Sequence, residues 1–105
     1  MKLVRDLIPA IIIESGGDCE WRYTESKEEY RSLLAQKVFE ELEEYMESDS
    51  HEEAVEEAGD LYEVISTLLS LRGISLEDAK EAACNKKGKR GGFQSGIVLK
   101  SFRRA

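Results

Sequence analysis

Two acidic stretches lie near the middle of this sequence: Glu-Glu-Leu-Glu-Glu at residues 40–44 and Glu-Glu-Ala-Gly-Asp at residues 56–60. Each falls within a segment that has the periodicity of a long helix. At about 100° of rotation per residue, Glu41 lies within about 60° of the apolar residues Leu34 and Val38. Glu41 is therefore predicted to lie on the buried side of its helix, not on the solvated back.

The second stretch repeats this arrangement. Glu57 lies within about 40° of the apolar direction of its own helix, which is marked by Leu61, Val64 and Leu68. Each inward acid has a second carboxylate three residues later, on its flank. A buried carboxylate without a partner is costly. We therefore expect a cation to meet the four acids, which are Glu41, Glu44, Glu57 and Asp60.

Local signals predict an all-α fold built around a helical hairpin. Ser26 with Glu29, Ser50 with Glu53, and Ser75 with Asp78 have the spacing of helix caps. They predict helices over residues 27–47, 51–72 and 76–87. A short helix that has Pro9 in its first turn and continues through the apolar segment 10–14 is expected before them. Residues 19–23 are expected to be extended. Residues 88–105 are expected to form a glycine-rich loop followed by a short strand or extended arm.

The turn between the two long helices is short, so the helices should be antiparallel neighbours. The acids lie late in the first helix and early in the second, and these halves meet in such a hairpin. A cluster made only of carboxylates suits Mg²⁺ or Mn²⁺, whereas zinc prefers nitrogen and sulfur ligands. The alternative is two acidic surfaces, because a small rotation of either helix would expose these residues.

The charge is distributed unevenly along the chain. The formal net charge is −7, but the first 85 residues hold 8 basic and 22 acidic side chains, whereas the rest hold 7 basic and none acidic. Glycines next to cations allow a backbone to approach phosphate closely. We therefore expect a basic glycine loop to bind phosphate, together with Lys37 beside the acids; its candidate ligands are Asn85, Lys86, Lys89 and Arg90.

Length and composition indicate one globular domain over residues 1–105. No apolar run approaches the roughly 20 residues of a membrane span, and we expect a cytoplasmic protein. The two cysteines, Cys19 and Cys84, fit no metal or redox pattern and are expected to be reduced thiols.

The acidic residues also resemble a known signature. Glu41-x-x-Glu44 followed by Glu57-x-x-Asp60 is similar to the ExxE…ExxD pattern of the MazG-like nucleoside triphosphate pyrophosphohydrolases. The opening Val-Arg-Asp-Leu-Ile-Pro (4–9) and the basic ending with Arg-Gly-Gly-Phe (90–93) look like a short branch related to phosphoribosyl-ATP pyrophosphohydrolases. The chain departs from such members at Leu7 or Ala10, where they usually carry a charged residue.

The resemblance implies an all-α homodimer or homotetramer that uses Mg²⁺ to hydrolyse a nucleoside triphosphate between its α- and β-phosphates. It places Glu41, Glu44, Glu57 and Asp60 at the positions of metal ligands. Glu41 or Glu44 is expected to activate the attacking water. By position, Lys37, Lys86 and Arg90 match phosphate contacts.

The sequence is also compatible with two other functions. A non-catalytic helical interaction module would use the apolar stripes as an interface and leave the acids in solvent. A nucleic-acid binder would use the basic tail, although the acidic body opposes binding to a polyanion.

Overall fold

The computed structural model describes all residues, 1–105, and contains four α-helices and no β-strand. The helices are α1 (Ile8–Glu14), α2 (Lys27–Glu47), α3 (His51–Ser70) and α4 (Leu76–Arg90). The all-α prediction is confirmed. The chain divides into two compact units, Met1–Ile74 with α1 to α3 and Ser75–Ala105 with α4.

Helix α2 has the predicted bounds because its first turn is capped as the sequence indicates. The Ser26 hydroxyl accepts a hydrogen bond from the Glu29 backbone N–H at 3.0 Å. The Glu29 carboxylate in turn accepts from the Glu25 backbone N–H at 2.9 Å. Side chains thus satisfy amide groups that the start of a helix leaves without partners.

Helix α3 begins in the same way and packs against α2. The Ser50 hydroxyl accepts from the Glu53 backbone N–H at 3.1 Å. The helix ends at Ser70, two residues before the predicted bound, and Gly73 follows with a φ of 70°. Glycine adopts this left-handed conformation without strain, as expected of a residue that terminates a helix.

Helix α4 is longer than predicted. It begins with a complete capping box between Ser75 and Asp78, but it continues through Gly88 to Arg90. Gly91, with a φ of 81° and its N–H bonded to the Lys87 carbonyl, ends the helix instead. One interior glycine costs only about 1 kcal/mol relative to alanine, and lysines and Arg90 in the last turn favour the negative end of the helix dipole.

The glycine-rich loop therefore begins at Gly91, not at Gly88, because residues 88–90 are helical. Residues 91–105 contain a turn at Phe93 but no strand, so of the two predicted alternatives the strand is wrong and the irregular arm remains. Residues 19–23 form no strand either. A strand needs a neighbouring strand to satisfy its backbone groups, and neither segment has one.

The apolar core of the hairpin is small. Leu34 on α2 is the one buried apolar residue, and Glu41, two turns later on the same face, is the one buried polar residue. No helix combines the length and the apolar character needed to cross a membrane. Both cysteines are free thiols, as predicted.

An ion pair at the start of α2 gives a prediction for the pH dependence of stability. Both oxygens of Glu29 accept from Arg22 at 2.8 Å. This pairing, with the bond from the Glu25 backbone, lowers the pKa of Glu29 from 4.5 to about 2. The folded state then binds the proton less tightly than the unfolded state, so Glu29 contributes stability above pH 4.5 that is lost as the pH falls towards 2.

We expect Glu29→Gln to lower the free energy of unfolding at pH 7, with a loss that shrinks as the pH falls below 4.5. Urea unfolding of both proteins at a series of pH values measures this difference. The matched control is Glu28→Gln, which alters an exposed acid in the same turn and should change little at any pH. A loss in Glu29→Gln that does not vary with pH would contradict the role of the ion pair.

Candidate metal centre

The hairpin brings three of the four predicted acids together. Glu41 and Glu44 from α2 and Glu57 from α3 each offer one carboxylate oxygen, and these oxygens all lie within 4.8 Å of one another. Glu41 is buried, Glu57 is half-buried and Glu44 is exposed. The cluster is thus buried at Glu41 and open to solvent at Glu44.

Two oxygens in this cluster are buried and have no hydrogen-bond partner: Oε2 of Glu41 and Oε2 of Glu57. Glu41 is only 5% exposed. Its burial, reinforced by the nearby charge of Glu44, raises the pKa of Glu41 even though Lys37 acts in the opposite direction. A buried acceptor without a partner costs free energy, so the donor set fits an oxygen-seeking cation placed between the helices.

Lys37 lies beside this cluster, as the sequence indicated. Its Nζ is 3.2 Å from Glu40 Oε1 and 3.4 Å from Glu41 Oε1. Burial disfavours the charged amine, but the hydrogen bond and the charge of Glu40, together with Glu41, outweigh it and raise the pKa of Lys37. Lys37 is therefore a stable cation at the edge of the carboxylates.

Asp60, the fourth predicted acid, lies outside the cluster of three. Its Oδ1 accepts a hydrogen bond from Arg5 Nη2 at 2.8 Å. Sequence reasoning missed Arg5, because no periodicity relates an arginine in the irregular opening segment to an acid 55 residues later. The proximity of Arg5 to Asp60 follows only from tertiary structure.

The remaining predicted residues lie in the second unit. Asn85, Lys86, Lys89 and Arg90 are exposed on α4. Positions 86, 89 and 90 are related by three and four residues, so they share one face of this helix. Their role as phosphate ligands stays a prediction, now for a helical face in place of a loop.

The two acidic helices lie within a part of the chain that is similar to a known protein family. The family model described as phosphoribosyl-ATP pyrophosphohydrolase matches residues 4–86, which is most of the chain and includes both acidic helices. The chain belongs to the phosphoribosyl-ATP pyrophosphohydrolase family. No curated protein and no solved structure matches the chain significantly.

Membership in the phosphoribosyl-ATP pyrophosphohydrolase family assigns the chain, at the level of the family, to the hydrolases that act on nucleotide pyrophosphate bonds. Such enzymes are typically metal-dependent. The cluster of Glu41, Glu44 and Glu57 is consistent with that chemistry.

The two unpaired oxygens lead to a prediction for metal binding. Mg²⁺ or Mn²⁺ should raise the thermal midpoint, since an ion present at 100 times its dissociation constant adds about 2.7 kcal/mol to stability. We expect Glu57→Gln to abolish most of this rise, because it removes one ligand charge from the cluster.

Differential scanning fluorimetry with and without the ion measures this effect. Glu56→Gln is the matched control, because Glu56 is the exposed neighbour of Glu57 and is not part of the cluster. The assignment is contradicted if the two variants respond to the ion equally.

Proposed function

We propose that the chain is a Mg²⁺-dependent nucleoside triphosphate pyrophosphohydrolase that cleaves between the α- and β-phosphates and releases a nucleoside monophosphate and pyrophosphate. The observation that carries this proposal is the carboxylate cluster with its two buried, unpaired oxygens. Family membership supports the reaction class.

Glu41, Glu44 and Glu57 would hold the metal, and Asp60 would be a fourth ligand. A site made only of oxygens favours Mg²⁺, with Mn²⁺ as a substitute, and Mg²⁺ commonly shares its shell with substrate phosphates. When bound, such an ion supplies a bound water of lowered pKa and charge to balance the phosphates.

We assign Glu41 and Glu44 to catalysis in different ways. Glu41 is buried beside Lys37, so its carboxylate is positioned and has little access to bulk water. Glu44 is exposed at the rim of the cluster and is free to orient an attacking water and accept its proton. A general base of this kind typically accelerates a reaction by about 10²- to 10⁴-fold.

Cations and polar donors are the candidate phosphate ligands. Lys37 provides a charge beside the carboxylates. On α4, the exposed residues Asn85, Lys86, Lys89 and Arg90 are further candidates, and arginine binds phosphate in a bidentate manner. The family model extends from residue 4 to residue 86, which supports our proposal that both units form one domain.

We further propose that the protein acts in the cytoplasm as a homodimer or homotetramer. Phe39 on α2 is 71% exposed and Tyr62 on α3 is 60% exposed. They lie about 160° and about 140° around their helices from Glu41 and Glu57, respectively. Apolar residues on these opposite faces support an interface with another copy, as small helical chains commonly use.

The activity prediction uses a panel of nucleoside triphosphates with Mg²⁺, with products separated by anion-exchange chromatography. We expect monophosphate and pyrophosphate, and a loss of about 10²- to 10⁴-fold in kcat for Glu44→Gln. Glu43→Gln is the matched control, because Glu43 is exposed and lies outside the cluster. Release of orthophosphate and a diphosphate would contradict the reaction class.

The assembly prediction concerns Phe39. Sedimentation velocity should give a mass two or four times that of the chain, and Phe39→Asp should shift the distribution to smaller species. Tyr23→Asp, which changes an exposed aromatic residue outside the helices, is expected to leave the mass unchanged. A monomeric wild-type protein at micromolar concentration would contradict the proposed assembly.

A further inference from the structure

Arg5 forms an ion pair with Asp60, which is one of the four metal ligands in the proposed function. Arg5 Nη2 lies 2.8 Å from Asp60 Oδ1, and no other basic side chain pairs with Asp60. A metal ion and a guanidinium compete for the charge of one carboxylate. Arg5 therefore affects how readily Asp60 becomes a metal ligand.

The formal charges around the cluster are consistent with such competition. The four acids and Glu40, which Lys37 also contacts, carry five negative charges, and the cations paired with them are Lys37, Arg5 and Lys2. The remainder is two negative charges, which one divalent ion neutralises. Once that ion is bound, Asp60 attracts a guanidinium less strongly, and Arg5 becomes available to another anion.

Arg5 is well placed to take a new partner. It uses one hydrogen bond to Asp60, so most of the five N–H donors of its guanidinium are free. Its side chain is 59% exposed, and it lies in the irregular segment before α1. Arg5 and Lys37 also line the same cavity of about 490 Å³ between this segment and the hairpin.

We propose that Arg5 is a substrate-binding residue that exchanges partners: it pairs with Asp60 while the metal is absent, and it binds a substrate phosphate once the metal has engaged Asp60. This inference rests on the proposed function. The exchange links the two binding events, because the metal releases the arginine that the phosphate requires.

The test compares two ligands on Arg5→Gln by isothermal titration calorimetry. Mn²⁺ alone should bind about 2- to 5-fold more tightly than to wild type, because a competing exposed ion pair is removed. Tripolyphosphate with saturating Mg²⁺ should bind about 10-fold or more weakly, because a charge-assisted hydrogen bond is lost. Opposite shifts for the two ligands are the signature of exchange.

A purely structural role for Arg5 gives a different pattern. If Arg5 only holds the opening segment against α3, both affinities fall together or neither changes, and either result overturns the proposal. Arg5→Lys should restore part of the tripolyphosphate affinity. Arg22→Gln is the control, since it removes an arginine from another exposed ion pair, and it should leave both affinities unchanged.

Asp60→Asn provides a second check on the same pair. In this background, Arg5→Gln should give no gain in Mn²⁺ affinity, because the arginine no longer competes for a charged ligand. A gain of the same size in both backgrounds would overturn the exchange.

The outcomes also separate this proposal from the proposed function. Opposite shifts in Arg5→Gln, together with a wild-type protein that hydrolyses no nucleotide, would support exchange at Arg5 and defeat the proposed activity. Hydrolysis with unchanged affinities in Arg5→Gln would do the reverse.

Discussion

The buried carboxylate of Glu41 is the constraint on which the rest of this structure depends. It lies on the packed face of α2, two turns from the one buried apolar residue, Leu34. Removing an ion from water costs several kcal/mol even after the surroundings relax, and a whole domain is stable by only about 5–15 kcal/mol. The arrangement is tolerable because Lys37 contacts one oxygen of Glu41, and the other oxygen is available to a cation.

Local signals explain which parts of the fold were predictable from the sequence. The bounds of α2 were correct because Ser26 and Glu29 act within one turn of each other. The predicted end of α4 at residue 87 is wrong, because the helix continues through Gly88 to Arg90. Gly91 ends the helix, since it has a positive φ of 81° and its N–H bonds to the Lys87 carbonyl. The alternative of a strand near the C-terminus is wrong because local β propensity cannot supply the neighbouring strand.

The candidate site likewise contains residues that local sequence signals predict and a contact that they do not predict. Helical phase predicted that Glu41 would be buried, and a short turn between helices predicted that Glu44 and Glu57 would come close to it. Phase could not reveal that Asp60 is held by Arg5, because that contact joins an irregular segment to a helix across most of the chain. Sequence periodicity reports the direction of a side chain within its own helix, whereas pairing between distant segments depends on tertiary packing.

In the proposed enzyme, metal binding and assembly use different faces of one hairpin. The face with Glu41 and Glu57 holds the carboxylates, and the opposite face exposes Phe39 and Tyr62. Each helix also exposes an aromatic residue on its other face, so the small core within one chain is compatible with a stable fold. It is what is expected when a hairpin contributes one side to its own core and the other to a partner copy. In this proposal, a cation would stabilise the first face and a partner copy would stabilise the second. The two contributions to stability are therefore separable, although the same two helices carry both.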